Sequence, residues 1–188
     1  INIVSPSKKV PIKVIPTDIE DIEFGKAIES ITTSINDITV YGDQDVLDEM
    51  NYLPVEIDVS GLNKDKDYEV IISKPSGIRD LSDTNIKVNI KVGEEITREI
   101  SDVTIETVNL SSEYKAVAVG ANSSKTSVVI KGTKSVVDAI DDSMITAQVN
   151  LDGYGEGEYE VEVVVNGEEN KAIYTPKTTK IKVKISKK

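Results

Sequence analysis

Val55, Ile57 and Val59 alternate with Glu56 and Asp58, which is the period of a half-buried strand. Ser60-Gly61-Leu62-Asn63 then reads as a turn, Asn63–Asp67 as a charged tip, and Tyr68–Ser73 as the returning strand. The plan recurs downstream, with a strand at Thr146–Leu151, a turn at Asp152–Gly157 and a return at Glu158–Val165. Ile86–Val92 alternates without a break, and Lys180–Ser186 repeats that alternation as a closing strand. Ahead of each hairpin the period changes. Val46, Leu47 and Met50 fall on one helical face within Asp43–Met50, a helix of about two turns. Asp43 or Asp45 can cap it. Lys134–Asp141 is its counterpart, capped by Thr133 or Ser135.

The remaining strands are read with less periodicity. Val10–Val14 contains Pro11, which points to an edge or strand-start position because proline donates nothing to a ladder. Gly25–Thr32 has mixed apolar spacings and is assigned as a strand by its match to Tyr114–Val119. Ile35–Tyr41, Val103–Val108, Ser127–Lys131 and the short Lys171–Thr175 are read as extended, Asn122–Lys125 as a turn, and Lys74–Thr84 as a loop holding Pro75 and Gly77. Ile1–Lys9 reads as a leading linker, and Gly93–Glu95 as the boundary between two domains, 10–93 and 94–188.

The two halves match in order and spacing. Gly42 recurs as Gly132, 90 residues on; Gly61 as Gly153, 92 on; Tyr68 as Tyr159, 91 on; and Ile86 as Ile181, 95 on. The drift collects before the last strand, where loop length is free to change. Internal repetition of this kind is a property of the architecture.

Composition sharpens the picture. Hydrophobic residues make up 38% of the chain and aromatic ones 4%, with one Phe and no Trp. Val and Ile must therefore build the cores, and β-branched side chains suit a pleated surface. The net charge of -11 makes nucleic acid and anionic lipid poor partners. There is no Cys, hence no disulfide, thiolate nucleophile or Cys-based zinc site, and no His, the commonest general base and metal ligand. No apolar run approaches the roughly 20 residues that span a bilayer. The chain begins at Ile1 rather than Met, which reads as a piece of a longer protein whose anchor or signal lies elsewhere.

The ordered motifs Val40-Tyr-Gly42, Val46-Leu-Asp48, Asp58-Val-Ser-Gly61, Tyr68-Glu-Val70 and Ile86-Lys-Val88 resemble those of YbbR-like domains. The second copy carries Ile130-Lys-Gly132, Val136-Val-Asp138, Asn150-Leu-Asp-Gly153, Tyr159-Glu-Val161 and Ile181-Lys-Val183. The resemblance covers all but about the first nine residues. It implies a mostly β fold of two tandem YbbR-like β-domains, each with one short helix, in an elongated arrangement. It also implies the extracytoplasmic part of a membrane-anchored protein that regulates the membrane diadenylate cyclase, the maker of cyclic di-AMP, with the membrane helix that meets the cyclase outside this chain. The family supplies no catalytic residues to carry over.

Candidate chemistry is sparse. Asp43, Asp45, Asp48 and Glu49 invite a calcium reading. Their spacing lacks the D-x-D-x-D-G loop, however, and the second copy has Thr133-Lys134-Ser135 instead. Lysines interleave the acids of Asn63–Asp67, which opposes a dication. Ser60, Ser76 and Ser82 have no His to activate them and no G-x-S-x-G or S-x-x-K context. Gly153–Gly157 is Gly-rich but opens no helix, so it makes no phosphate cradle. Tyr68 and Tyr159 are expected to pack on half-buried faces with hydroxyls at the rim, and Ile86–Val92 to lie on an edge where Lys87 and Lys91 guard it or a partner strand adds. The expectation is therefore a non-catalytic protein with no catalytic, cofactor or metal residues assigned, no cofactor, and binding residues that the sequence does not identify. The alternative reading is a structural or adhesive tandem β-module of the bacterial cell surface.

Overall fold

A computed structural model describes residues 5–120 and 123–188. The chain divides into two compact units, Ile1–Gly93 and Glu94–Lys188. Its strands are β1 (Ser7–Thr17), β2 (Lys26–Thr33), β3 (Asp37–Gly42), β4 (Leu53–Asp58), β5 (Lys66–Ile71), β6 (Ile78–Leu81), β7 (Asn85–Val108), β8 (Tyr114–Val119), β9 (Lys125–Thr133), β10 (Thr146–Asn150), β11 (Gly157–Glu162), β12 (Val164–Asn166), β13 (Ile173–Pro176) and β14 (Lys180–Lys187). The helices are α1 (Gln44–Glu49) and α2 (Lys134–Ala139). The fold is mostly β, with one short α-helix in each unit, as the alternation predicts.

In the first unit β1 changes partner along its length. Ser7–Pro11 pairs antiparallel with β3, Lys9 lying opposite Thr39. Ile12–Thr17 pairs in parallel with β4, Val14 lying opposite Val55. The switch falls at Pro11–Ile12, where the β3 side closes with Ile12 N–H donating to Asn36 O at 2.8 Å. The sheet order is β4-β1-β3-β6. The chain must therefore cross β1 between β3 and β4, and α1 makes that crossing. A second layer sets β5, antiparallel, and β2 on either side of the Asn85–Val92 part of β7.

The second unit repeats the scheme. The later part of β7 pairs antiparallel with β9, Ile96 opposite Gly132, then in parallel with β10, Ile105 opposite Ala147. β14 lies between β11 and β8. The register of β7 slips between Ile100 and Val103. Asp102 sits there at φ 62, a β-bulge that inserts one residue and turns the following side chains to the other face.

Alternation explains the cores. Ile86, Val88 and Ile90 are buried while Lys87 is exposed; Ile181, Val183 and Ile185 are buried between exposed lysines. The first unit has one apolar cluster, in which Ile28, Ile38, Val40, Leu47, Leu53 and Val59 join these residues. The second has two, one around Val149, Leu151 and Val183 and one around Ile130, Val136 and Val137, joined by Val103 and Val165, which pack on both. Fully burying such a side chain stabilises by about 1.5–3 kcal/mol.

Some expectations are corrected. Ser7–Lys9, read as linker, belongs to β1, with Ser7 opposite Tyr41. The Lys74–Thr84 loop contains β6, whose buried Ile78 and Leu81 stand three apart and so hide the strand period. The return strand Glu158–Val165 is two strands, because Val163 N–H turns to Thr179 O while Val164–Asn166 pairs with β10. Asn122, part of the expected Asn122–Lys125 turn, lies outside the described residues. Asp43 and Thr133 occupy the N-cap positions of α1 and α2, yet neither side chain bonds the helix N–H groups.

Gly42 is held by contact. A Cβ there would lie 2.4 Å from Gly77 O, whereas a Cβ on Gly132 would meet Val137 Cγ2 at 3.2 Å. Gly42→Ala should cost about 1–3 kcal/mol and Gly132→Ala less than about 1 kcal/mol. Urea unfolding followed by circular dichroism measures both, and equal losses would contradict the contact argument.

Candidate functional site

Of the acids singled out in the sequence, Asp43, Asp48, Asp65 and Asp67 are held by other groups. The Asp43 carboxylate accepts from the Arg79 guanidinium, which explains why it does not cap α1. Gln44 Nε2 donates to Asp48 Oδ1 at 2.7 Å. At the hairpin tip, Asp65 Oδ1 accepts from Val92 N–H at 2.8 Å, and Asp67 Oδ1 from Asn89 Nδ2 at 2.7 Å. These acids pin the tip to β7. Among the described residues no group of three or more His, Cys, Asp or Glu side chains gathers to hold a metal ion.

The three serines serve the backbone or face solvent. Ser60 N–H donates to Asp58 Oδ1 at 2.8 Å. Ser82 Oγ accepts from Thr39 N–H at 3.1 Å and donates to Asp83 Oδ2 at 2.9 Å. Ser76 is exposed in a turn. Tyr68 and Tyr159 are half-buried against their cores, as expected. The Lys66 ammonium sits 4.5 Å from the Tyr68 ring centroid. In the second unit that cation is absent, and Tyr154 packs edge-on against Tyr159 with centroids 4.8 Å apart. The Tyr159 hydroxyl donates to Glu156 O at 3.2 Å.

One expectation about edges is overturned. Ile86–Val92 lies inside a sheet, between β5 and β2. Tyr68 stands opposite Val88 on one side, and Ser34 N–H donates to Lys87 O on the other. Lys87 and Lys91 guard no edge.

Two features went unread in the sequence. Lys8 Nζ donates to Leu47 O at 2.9 Å, so a lysine on β1 satisfies a carbonyl at the C-terminal end of α1. Arg98, 90 residues on, does the same for α2 through Val137 O at 2.9 Å and Ile140 O at 3.2 Å, and also pairs with Asp142. The spacing is that of Gly42 and Gly132, so the offset could have flagged the pair. The other feature is an open cleft in the second unit. In the first unit Asp18 (φ 54) begins a loop whose Ile19–Asp21 turn lies over the hairpin. Gly61 N–H donates to Asp21 O, and Glu23 N–H to the carbonyl of buried Leu62. In the second unit Asn109 (φ 60) begins a shorter loop, residues 110–113. That loop leaves a cleft of about 780 Å³ lined by Asn109, Leu110, Tyr114, Asp152, Gly153 and Tyr154. Among the described residues no Lys or Arg lines it. Its aromatic faces and exposed polar groups suit contact; it brings no base and nucleophile together. Phe24, the single Phe, is 98% exposed on the corresponding loop of the first unit.

These features describe tandem β-domains that present surfaces. The YbbR-like protein family model matches residues 10–92 and 102–185, and the chain belongs to that family. It is 35% identical over 169 residues to the CdaA regulatory protein CdaR of Bacillus subtilis (strain 168), a match covering 89% of this chain and 35% of CdaR. The chain thus spans about a third of the length of that relative. Among solved structures, a YbbR-like domain of the lmo2119 protein of Listeria monocytogenes aligns with a TM-score of 0.44 and 15% identity, covering 50% of this chain and 95% of that one. A YbbR-like protein of Streptococcus pneumoniae TIGR4 aligns with a TM-score of 0.36 and 15% identity, covering 100% of this chain and 98% of that one.

Asp58 offers a test of the hairpin turn. The Ser60 hydroxyl and N–H hold its carboxyl below the ordinary carboxylate value. The folded form is thus favoured while the carboxyl is ionised. That contribution is full above the unfolded value of about 3.9 and fades as pH falls through the lower folded value. In the second unit Asn150 Oδ1 makes the same bond, to Asp152 N–H at 3.0 Å. Asp58→Asn should therefore keep the melting temperature at pH 7 and lose less of it at pH 3 than the wild type. Asp58→Ala should melt lower at pH 7. Equal pH 7 losses for both variants would refute the acceptor role.

Proposed function

We propose that the chain is the non-catalytic, extracytoplasmic part of a membrane-anchored YbbR-like regulator. It acts on a membrane diadenylate cyclase, and so on the level of cyclic di-AMP, through protein–protein contact. The observation that carries this reading is the identity of 35% over 169 residues to a protein named as a regulator of CdaA. Both matched regions are YbbR-like, residues 10–92 and 102–185. No helix among the described residues is long and apolar enough to cross a membrane, and in this proposal the anchor lies in another part of the protein. The chemistry of the chain is in keeping with contact. It has no His or Cys to supply a base or thiolate, and Ser60, Ser82, Asp43, Asp65 and Asp67 are engaged in turns and in ties between elements.

Full-length protein co-expressed with the membrane diadenylate cyclase is expected to co-purify with it in detergent and to shift cellular cyclic di-AMP at least twofold. Absence of both effects would overturn the reading. Co-purification without a change in product would leave contact but remove regulation.

A further inference from the structure

The two units differ at one sheet edge. In the second unit β12 pairs antiparallel with β10, setting Thr146 opposite Asn166, Ala147 opposite Val165 and Gln148 opposite Val164. Ala147 is fully buried, and Val165 beside it packs on both apolar clusters. In the first unit the chain arrives at the same point. Ile72 N–H donates to Thr84 O at 2.8 Å, as Val163 N–H does to Thr179 O at 2.9 Å. Residues 73–77 alone then lead to β6, whereas residues 164–172 lead to β13. The shorter link goes straight to β3 and forms no strand on β4. β4 therefore ends its sheet.

What remains is a groove of about 340 Å³ lined by Pro54, Glu56, Val70, Ile71 and Ser73. Ile71 is 77% exposed there. Val59 N–H donates to Thr17 O, so the backbone groups of Val55 and Ile57 also face β1. Those of Pro54, Glu56 and Asp58 face outward. Pro54 carries no N–H, so the edge offers one donor fewer than β10 does and favours a short pairing over a long one.

We propose that the outer edge of β4 takes a short extended segment of a partner polypeptide, antiparallel to β4 and in the register that β12 holds on β10. A β-branched residue of that segment sits opposite Val55, where Val165 sits opposite Ala147. Basic residues flank it, because the neighbouring positions fall beside Glu56. Glu56, which lines the groove, has no ion pair among the described residues, and the chain carries a net charge of -11. A second copy fits poorly: two β4 edges paired antiparallel would set Glu56 against Glu56 or against Asp58 of the other copy, like charges facing each other. The site is independent of which enzyme the protein regulates.

The test uses the 188-residue chain and a fluorescent five-residue peptide alternating lysine and valine. Saturable binding is expected by anisotropy, with NMR shifts centred on the Glu56 amide and at least tenfold preference over the glutamate–valine peptide. Glu56→Lys, an exposed change, should weaken binding at least fivefold. Replacing residues 73–77 by the sequence of residues 164–172 should supply the strand in cis and abolish it. No saturable binding, shifts away from β4, or no preference between the peptides would overturn the proposal. Self-association on sedimentation that Glu56→Lys alters, without peptide binding, would replace it with a second copy as the occupant.

Discussion

Each unit depends on one strand that changes partner midway. β1 gives its first half to β3 and its second half to β4; the later part of β7 divides itself between β9 and β10. One pairing is antiparallel and the other parallel. A parallel neighbour cannot be reached through a tight hairpin, so the chain must cross over the dividing strand, and a six-residue helix is the bridge. Its single apolar face, Leu47 in one unit and Val136–Val137 in the other, closes the end of the core. The dividing strand then supplies the cation that satisfies the helix's last carbonyls, Lys8 in one copy and Arg98 in the other.

The repeat preserves physical tasks more faithfully than residues. Asp58 and Asn150 both accept an N–H two residues on, and the glycines that follow, Gly61 and Gly153, both sit at positive φ, 67 and 76. Leu62 fills its place as a buried apolar side chain, while Tyr154 at the equivalent place is half-exposed and rests on Tyr159. The divergence gathers at the ends of the units and at one edge, where loop length sets whether the chain covers its own surface. Surfaces of that kind are where tandem domains of one family can differ in what they meet.

Much of this was legible from alternation. Ile86–Val92 and Lys180–Ser186 announce themselves because one face is buried and the other is wet. Partner changes are invisible to the same signal. Val10, Ile12 and Val14 keep one phase straight through the switch at Pro11, and Val161, Val163 and Val165 keep one phase although the strand changes sheets after Val163. β6 was missed because its two buried residues stand three apart. The sequence also misplaced Ile86–Val92 on an edge, since periodicity says which face is buried and nothing about how many neighbours a strand has. The cleft beside Tyr114 and Tyr154 was out of reach for a related reason: a short loop is visible as a length, but the space it fails to fill is a property of the folded hairpin opposite.

The bulge at Asp102 has a consequence for how such chains change over time. A strand with one buried face is intolerant of a single-residue insertion or deletion, because everything beyond it faces the wrong way. In β7 the extra residue is taken up within the antiparallel ladder to β9, just before the parallel pairing with β10 begins, and Ile100 and Ile105 both remain buried. That stretch is thus a point in the second unit where the length of the gene can vary by one codon without emptying the core, and the two copies can drift out of strict spacing there while both still fold.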